Sequence, residues 1–216
     1  MKFFRYIRSL FLLSLPLIGG HIAQILISVG DTLIVGRYST EALAALVLGT
    51  TIFFIIFILG AGFSFAAMAL VSTANREGDN TKIRRITRMA LWLSLAFGLL
   101  VSPIFVLSER LLLFLGQEFN LAALASDYLI FSGIAIFPAL SASVLRCYLA
   151  GMEYVKVTFY ISIIAVSLNL LVNYLLVFGM FGLPELGIVG AGIATVFVNL
   201  FMFMSFVIYA KIKLPQ

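Results

Sequence analysis

His21, Gln24, Ser28 and Asp31 stand three, four and three residues apart within an otherwise mainly apolar stretch, Leu10 to Gly36. On a helix this spacing lines all four along one stripe. Most of their neighbours are Leu, Ile, Val, Ala and Gly. A membrane helix turns such a stripe toward protein or a water-filled cavity, because lipid cannot solvate it. Asp31 is the costliest of the four to bury, so it leads the candidates for function. The other three read as cavity-lining groups, or for His21 and Gln24 as packing groups.

The composition sets the frame around that stripe. The chain has 216 residues, 63% hydrophobic and 11% charged, with a mean hydropathy of +1.18. Soluble domains carry about 25% charged residues, so this deficit indicates a membrane protein. The formal charge of +5 does not point to nucleic acid, since the basic residues sit between apolar runs and build no soluble basic face. Cys147 is the single cysteine, which excludes an internal disulfide and a multi-cysteine metal site.

Six apolar segments predict an all-α integral membrane protein, a six-helix bundle forming one unit, 1–216. The expected spans are 10–35, 46–71, 89–107, 128–145, 157–178 and 187–210. Pro103 is expected to help stop the third, and Pro138 to kink the fourth. Lys2, Arg5 and Arg8 before an apolar run resemble a signal peptide. The run continues past Gly20 without a small-residue cleavage site, so it reads as an uncleaved first span. The outer segment Glu109–Asp127 is the one long loop, and Leu111–Leu115 within it reads as a small interfacial helix.

With a cytoplasmic N-terminus, twelve Lys and Arg side chains fall on the inner side. Only Arg37 and Arg110 fall outside. This asymmetry predicts cytoplasmic N- and C-termini. The loop Asn75–Arg88 is the main basic patch, expected to meet anionic lipid head groups.

A depth argument then links three spans. Asp31 lies five residues before Gly36, Asn173 six before Gly179, and Thr195 eight after Gly187. Asn169 shares a helix face with Asn173. At about 1.5 Å per residue, all three levels fall roughly 7–15 Å from the outer boundary. A carboxylate, two amides and a hydroxyl at one depth suit a small hard cation, or a proton held on the carboxyl. The asparagines also read as interhelical glue, Thr195 as bonding its own helix, and Asp31 as a helix-end acid paired with Arg37.

Enzyme chemistry finds no support. One histidine rules out a His-Glu-x-x-His zinc site, no Gly-x-Ser-x-Gly elbow occurs, and no glycine-rich phosphate loop is present. Gly30-Asp31 lacks the second membrane-embedded aspartate that an intramembrane protease needs. No cofactor is expected.

Pro16, Gln24, Ser28-Val29-Gly30-Asp31-Thr32, Gly36 and Glu41-Ala42-Leu43-Ala44-Ala45 open a longer pattern. It continues through Gly60-Ala61-Gly62, Ala74-Asn75-Arg76-Glu77-Gly78, Leu145-Arg146 and Ala150-Gly151. It closes with Asn169, Asn173-Tyr174, Phe178-Gly179, Gly182, Pro184, Gly187 and Gly190-Ala191-Gly192-Ile193-Ala194-Thr195. In order and spacing the chain resembles the N-terminal half of a multidrug and toxic compound extrusion (MATE) transporter, in its NorM-like branch.

The resemblance implies a twelve-helix transporter of two six-helix lobes, of which this chain supplies one. It implies alternating-access export of drugs or organic cations in exchange for Na⁺ or H⁺. The cation or proton site would fall on Asp31, Asn169, Asn173 and Thr195, which would be metal ligands only if Na⁺ is the coupling ion. Some family members carry an acid where this chain has Asn173, which leaves one carboxylate here. The implied location is the bacterial inner membrane, in contact with lipid. The partner is a second six-helix lobe, a missing C-terminal half or a second copy. A fragment or truncated gene is the favoured expectation. The rival readings are a lipid-linked oligosaccharide flippase of related fold and a non-transporting remnant or scaffold.

Overall fold

A computed structural model describes residues 2–182 and 184–213, with the side chains of 2–14, Pro16, Leu17 and His21 outside that description. The described residues form seven α-helices: α1 (Lys2–Tyr38), α2 (Thr40–Glu77), α3 (Asn80–Val106), α4 (Ser108–Phe114), α5 (Phe119–Gly151), α6 (Val155–Phe178) and α7 (Gly187–Lys213). A 3₁₀ turn, Met180–Gly182, joins α6 to α7. Six helices are long and apolar enough to cross a membrane; α4, with seven residues, is not.

The helices run further than hydropathy alone indicates, because their ends are polar and capped. The Ser39 hydroxyl accepts from the Glu41 and Ala42 amides and starts α2 one residue after α1 ends. Gly78 takes a left-handed φ of 72° and closes α2, and the Asp79 carboxylate accepts from the Lys82 amide to open α3. The expected loop Asn75–Arg88 is therefore a two-residue turn, and its basic residues lie on helix ends. Likewise Glu109–Asp127 is mostly helical: α4 occupies 108–114, and Asp127 sits in the third turn of α5.

Pro103 does not stop the third span. It lies inside α3, which continues to Val106. Proline leaves the carbonyl four residues back without its amide donor. Here that carbonyl is Leu99, and the Ser102 hydroxyl donates to it at 2.8 Å. Pro138 likewise lies within one continuous helix, α5.

The central helix is α5, with 72% of its span buried against 24–33% for the others. Small residues set its neighbours. Gly49 faces the Tyr128 ring, Gly60 faces Leu140, and Gly151 faces Met68 and Val71, so α2 and α5 run side by side in one direction. In the same way Gly19 faces Phe159 and Gly30 faces Leu170, which pairs α1 with α6 in parallel. Helix α7 lies between α5 and α6. Gly190 meets the Leu176 backbone near one end, and Tyr154 meets the Tyr209 ring 6.2 Å away at the other. In lipid no hydrophobic force draws helices together, so close packing at small residues does that work. Large apolar side chains such as Trp92, Leu99 and Leu100 point outward, as a lipid-facing surface requires.

Candidate functional site

Asp31 is 6% exposed, although the rest of α1 around it is largely open. Its neighbour Gly30 allows this. With no Cβ there, Leu170 of α6 packs onto the α1 backbone, and the Asn169 Oδ1 lies 3.8 Å from where a Cβ would stand. The two helices close on each other at this level. Both Asn169 and Asn173 are fully buried on the facing side of α6.

The Asn173 amide Nδ2 donates to Asp31 Oδ1. This hydrogen bond ties the first span to the fifth. Asn169 approaches the same carboxyl but makes no hydrogen bond: its Nδ2 and Oδ1 are both buried without a partner, and so is Asn173 Oδ1. Buried polar atoms are nearly always paired, because an unpaired one costs about 1–3 kcal/mol. Two amide oxygens without partners therefore share the level of the Asp31 carboxylate, and together they make an oxygen-rich polar site. Among the described residues no basic side chain pairs with Asp31: the exposed Arg37 makes no ion pair with it, and the carboxyl is buried rather than reaching outer water.

Thr195 is half-buried on α7, and its hydroxyl donates to the Ala191 carbonyl at 2.9 Å. It bonds its own helix, as threonine commonly does, and its lone pairs remain available. Tyr128 of α5 lies near both Thr195 and Asp31. The Tyr128 side chain lies beside the Ser132 and Thr195 hydroxyls and within electrostatic range of Asp31. It is 2% exposed, and its ring stands on Gly49 of α2, 2.6 Å from the place of a Cβ. Hydropathy puts Tyr128 at the first position of the expected fourth span, 128–145; only the longer α5, Phe119–Gly151, carries it into the interior.

The stripe on α1 divides. Gln24 is half-buried, and Ser28 is exposed. The buried face of α1 runs through Gly20, Ala23, Gly30, Asp31 and Val35, so Asp31 lies on it and Ser28 lies beyond its edge. The His21 side chain lies outside the described residues. Among the described residues, no three His, Cys, Asp or Glu side chains gather into a metal cluster. The site offers one carboxylate and neutral oxygens instead. Its formal charge of −1 balances a single proton or a monovalent cation better than a divalent one.

A bundle of six apolar membrane-length helices around one buried acid defines a multi-pass integral membrane protein. The chain belongs to the MatE family, whose sequence pattern matches residues 16–175. It is 41% identical over 212 residues to a probable multidrug resistance protein NorM of Agrobacterium fabrum, covering 98% of this chain and 46% of that one. It is 42% identical over 195 residues to the protein of the same name in Rhizobium meliloti, covering 90% of this chain and 42% of that one. The chain thus spans about half the length of the curated relatives it matches.

Solved structures agree on the fold. A eukaryotic MATE transporter superposes with a TM-score of 0.91 at 18% identity, over 100% of this chain and 47% of that one. Two multidrug resistance MATE family transporters match as well. One, outward-facing, gives a TM-score of 0.83 at 21% identity over 93% of this chain and 44% of its own. The other, inward-facing, gives 0.80 at 20% identity over 88% and 43%.

Proposed function

We propose that this chain is one lobe of a multidrug exporter driven by exchange with Na⁺ or H⁺, and that Asp31 with Asn169, Asn173 and Thr195 holds the coupling ion. The observation that carries the reading is the buried, charge-unpaired Asp31 among amide oxygens that have no partner. Burial makes a bare carboxylate costly, so a proton or a cation there relieves a standing penalty. When Na⁺ is bound, the Asp31 carboxylate and the Asn169 and Asn173 carbonyl oxygens would hold it, with Thr195 next to them. A proton would sit on the Asp31 carboxyl.

The coupling follows from where the site lies. Asp31 and Asn173 join α1 to α6, and α1 presents an otherwise open surface carrying Gln24 and Ser28. An ion that alters the α1–α6 contact alters the face that α1 offers to the drug cavity between the lobes. Ion and drug then favour different conformations, which is the thermodynamic requirement for exchange. A lobe fold that superposes on both an outward- and an inward-facing relative supports lobes rocking as units. The numerous basic residues at one end of the bundle support a cytoplasmic placement of that end, in a bacterial inner membrane.

The test is transport. Membrane vesicles carrying the chain with the second lobe that completes it should move a fluorescent organic cation when a Na⁺ or pH gradient is imposed. Movement that ignores both gradients would sink the proposal.

A further inference from the structure

A second polar feature lies at the basic end of the bundle, far from Asp31. A cavity of about 80 Å³ opens between α1, α2, α5 and α6, lined by Gly20, Phe65, Met68, Arg146, Ala150 and Thr158. That is room for several waters or a small oxyanion. Among the described residues, Arg146 is the only charged one in its wall.

Arg146 has no ion-pair partner; among the described residues the one ion pair is Lys82 with Glu77, at the α2–α3 turn. No acid precedes Asp31 on α1, none occurs on α6, and α5 carries only Asp127, five turns from Arg146; on α2, Glu41 lies at the opposite end and Glu77 pairs with Lys82, and the exposed Glu153 in the α5–α6 turn makes no ion pair with Arg146. Arg146 is half-buried at the cavity, so its guanidinium keeps its charge and is open to an anion.

A second source of positive potential faces the same recess. Helix α6 begins at Val155, its N-cap residue Tyr154 gives no side-chain cap, and Thr158 of its first turn lines the cavity. Uncapped first-turn amides and the helix dipole favour an anion. The Thr158 hydroxyl already donates to the Val155 carbonyl at 2.7 Å, so it closes the helix turn rather than the site. The α1 wall has a gap: a Cβ added at Gly20 would meet nothing within 4 Å, although Gly20 is buried.

We propose that this cavity is an anion site for a phosphate group, with Arg146 as its principal ligand and the α6 N-terminus as its second. Arginine recognises phosphate in a two-pronged manner, and basic recesses between membrane helices take lipid head groups. The phosphate comes from an anionic phospholipid or from solution, and the chemistry of the recess is the same for both.

Thermal unfolding of the purified protein in uncharged detergent separates these sources and tests the site. One series adds inorganic phosphate against matched chloride. The other adds phosphatidylglycerol against phosphatidylcholine. Ligand that binds only the folded state raises the midpoint with concentration. The wild-type midpoint should rise with phosphatidylglycerol, identifying a lipid source, or with phosphate alone, identifying a soluble one. Arg146→Gln should weaken the apparent affinity at least tenfold, and Arg146→Lys should retain part of it. Gly20→Leu fills the recess while leaving Arg146 in place, and should abolish the response even if Arg146→Gln folds poorly. A wild-type protein that responds to neither series, or Gly20→Leu and Arg146→Gln proteins that respond like wild type, would overturn the proposal. Attraction to the exposed basic patch alone would give the latter result.

Discussion

The Asn173 side-chain amide donates to the Asp31 carboxylate across 142 positions of sequence. It holds together α1 and α6, two helices that run in parallel and also close through Gly30 and Leu170. Asn173 spends its donor on this bond and leaves its carbonyl oxygen unpaired.

Removing the donor should therefore be costly. Asn173→Ala leaves Asp31 buried without a hydrogen bond, and should lower stability by about 2 kcal/mol, the range for a bond to a charged group. Thermal or denaturant unfolding of the purified protein checks this. An unchanged midpoint would mean that water or another residue already satisfies the carboxylate.

Asn169 should behave in the opposite way. Its amide nitrogen and oxygen have no partner to lose. Asn169→Leu should leave stability within about 1 kcal/mol of wild type or raise it. Ion-driven drug efflux should nevertheless fall about tenfold or more. A large loss of stability with transport per folded molecule intact would identify Asn169 as interhelical glue.

Asn173→Asp places a second carboxylate beside Asp31. Two buried like charges repel unless a cation or proton separates them. The variant should be destabilised in low sodium and rescued by NaCl more than by KCl, in a midpoint titration. Equal response to both salts would argue that the site does not discriminate Na⁺.

Gly190 is where α7 touches the α6 backbone. A Cβ there would lie 2.7 Å from the Leu176 carbonyl carbon and 2.8 Å from its oxygen. Backbone cannot swing aside as a side chain can, so Gly190→Ala should cost about 1–3 kcal/mol. Gly62→Ala, which meets nothing within 4 Å, is the matching control and should be near neutral.

The six spans were legible because lipid demands long apolar helices, and their order is plain in the hydropathy. The level shared by Asp31 and Asn173 was legible too, since helical rise converts residue counts into depth. Helix ends were not: Ser39, Gly78 and Asp79 extend helices through polar sequence that hydropathy scores as loop. Pro103 misled because the compensating Ser102 bond depends on local geometry. Ser28 shares a stripe with Asp31, yet only the rotation of α1 against α6 decides which of them is buried. The burial of Tyr128 depends on α5 being central, which no local pattern encodes.

The most direct measurement is drug efflux from vesicles under an imposed Na⁺ or pH gradient, with wild type compared to Asp31→Asn. The substitution keeps shape and removes the charge that an ion or proton would neutralise. The account predicts that the variant inserts and folds, still binds drug, and loses gradient-driven efflux. Efflux by Asp31→Asn at the wild-type rate, with the same dependence on the gradient, would contradict it.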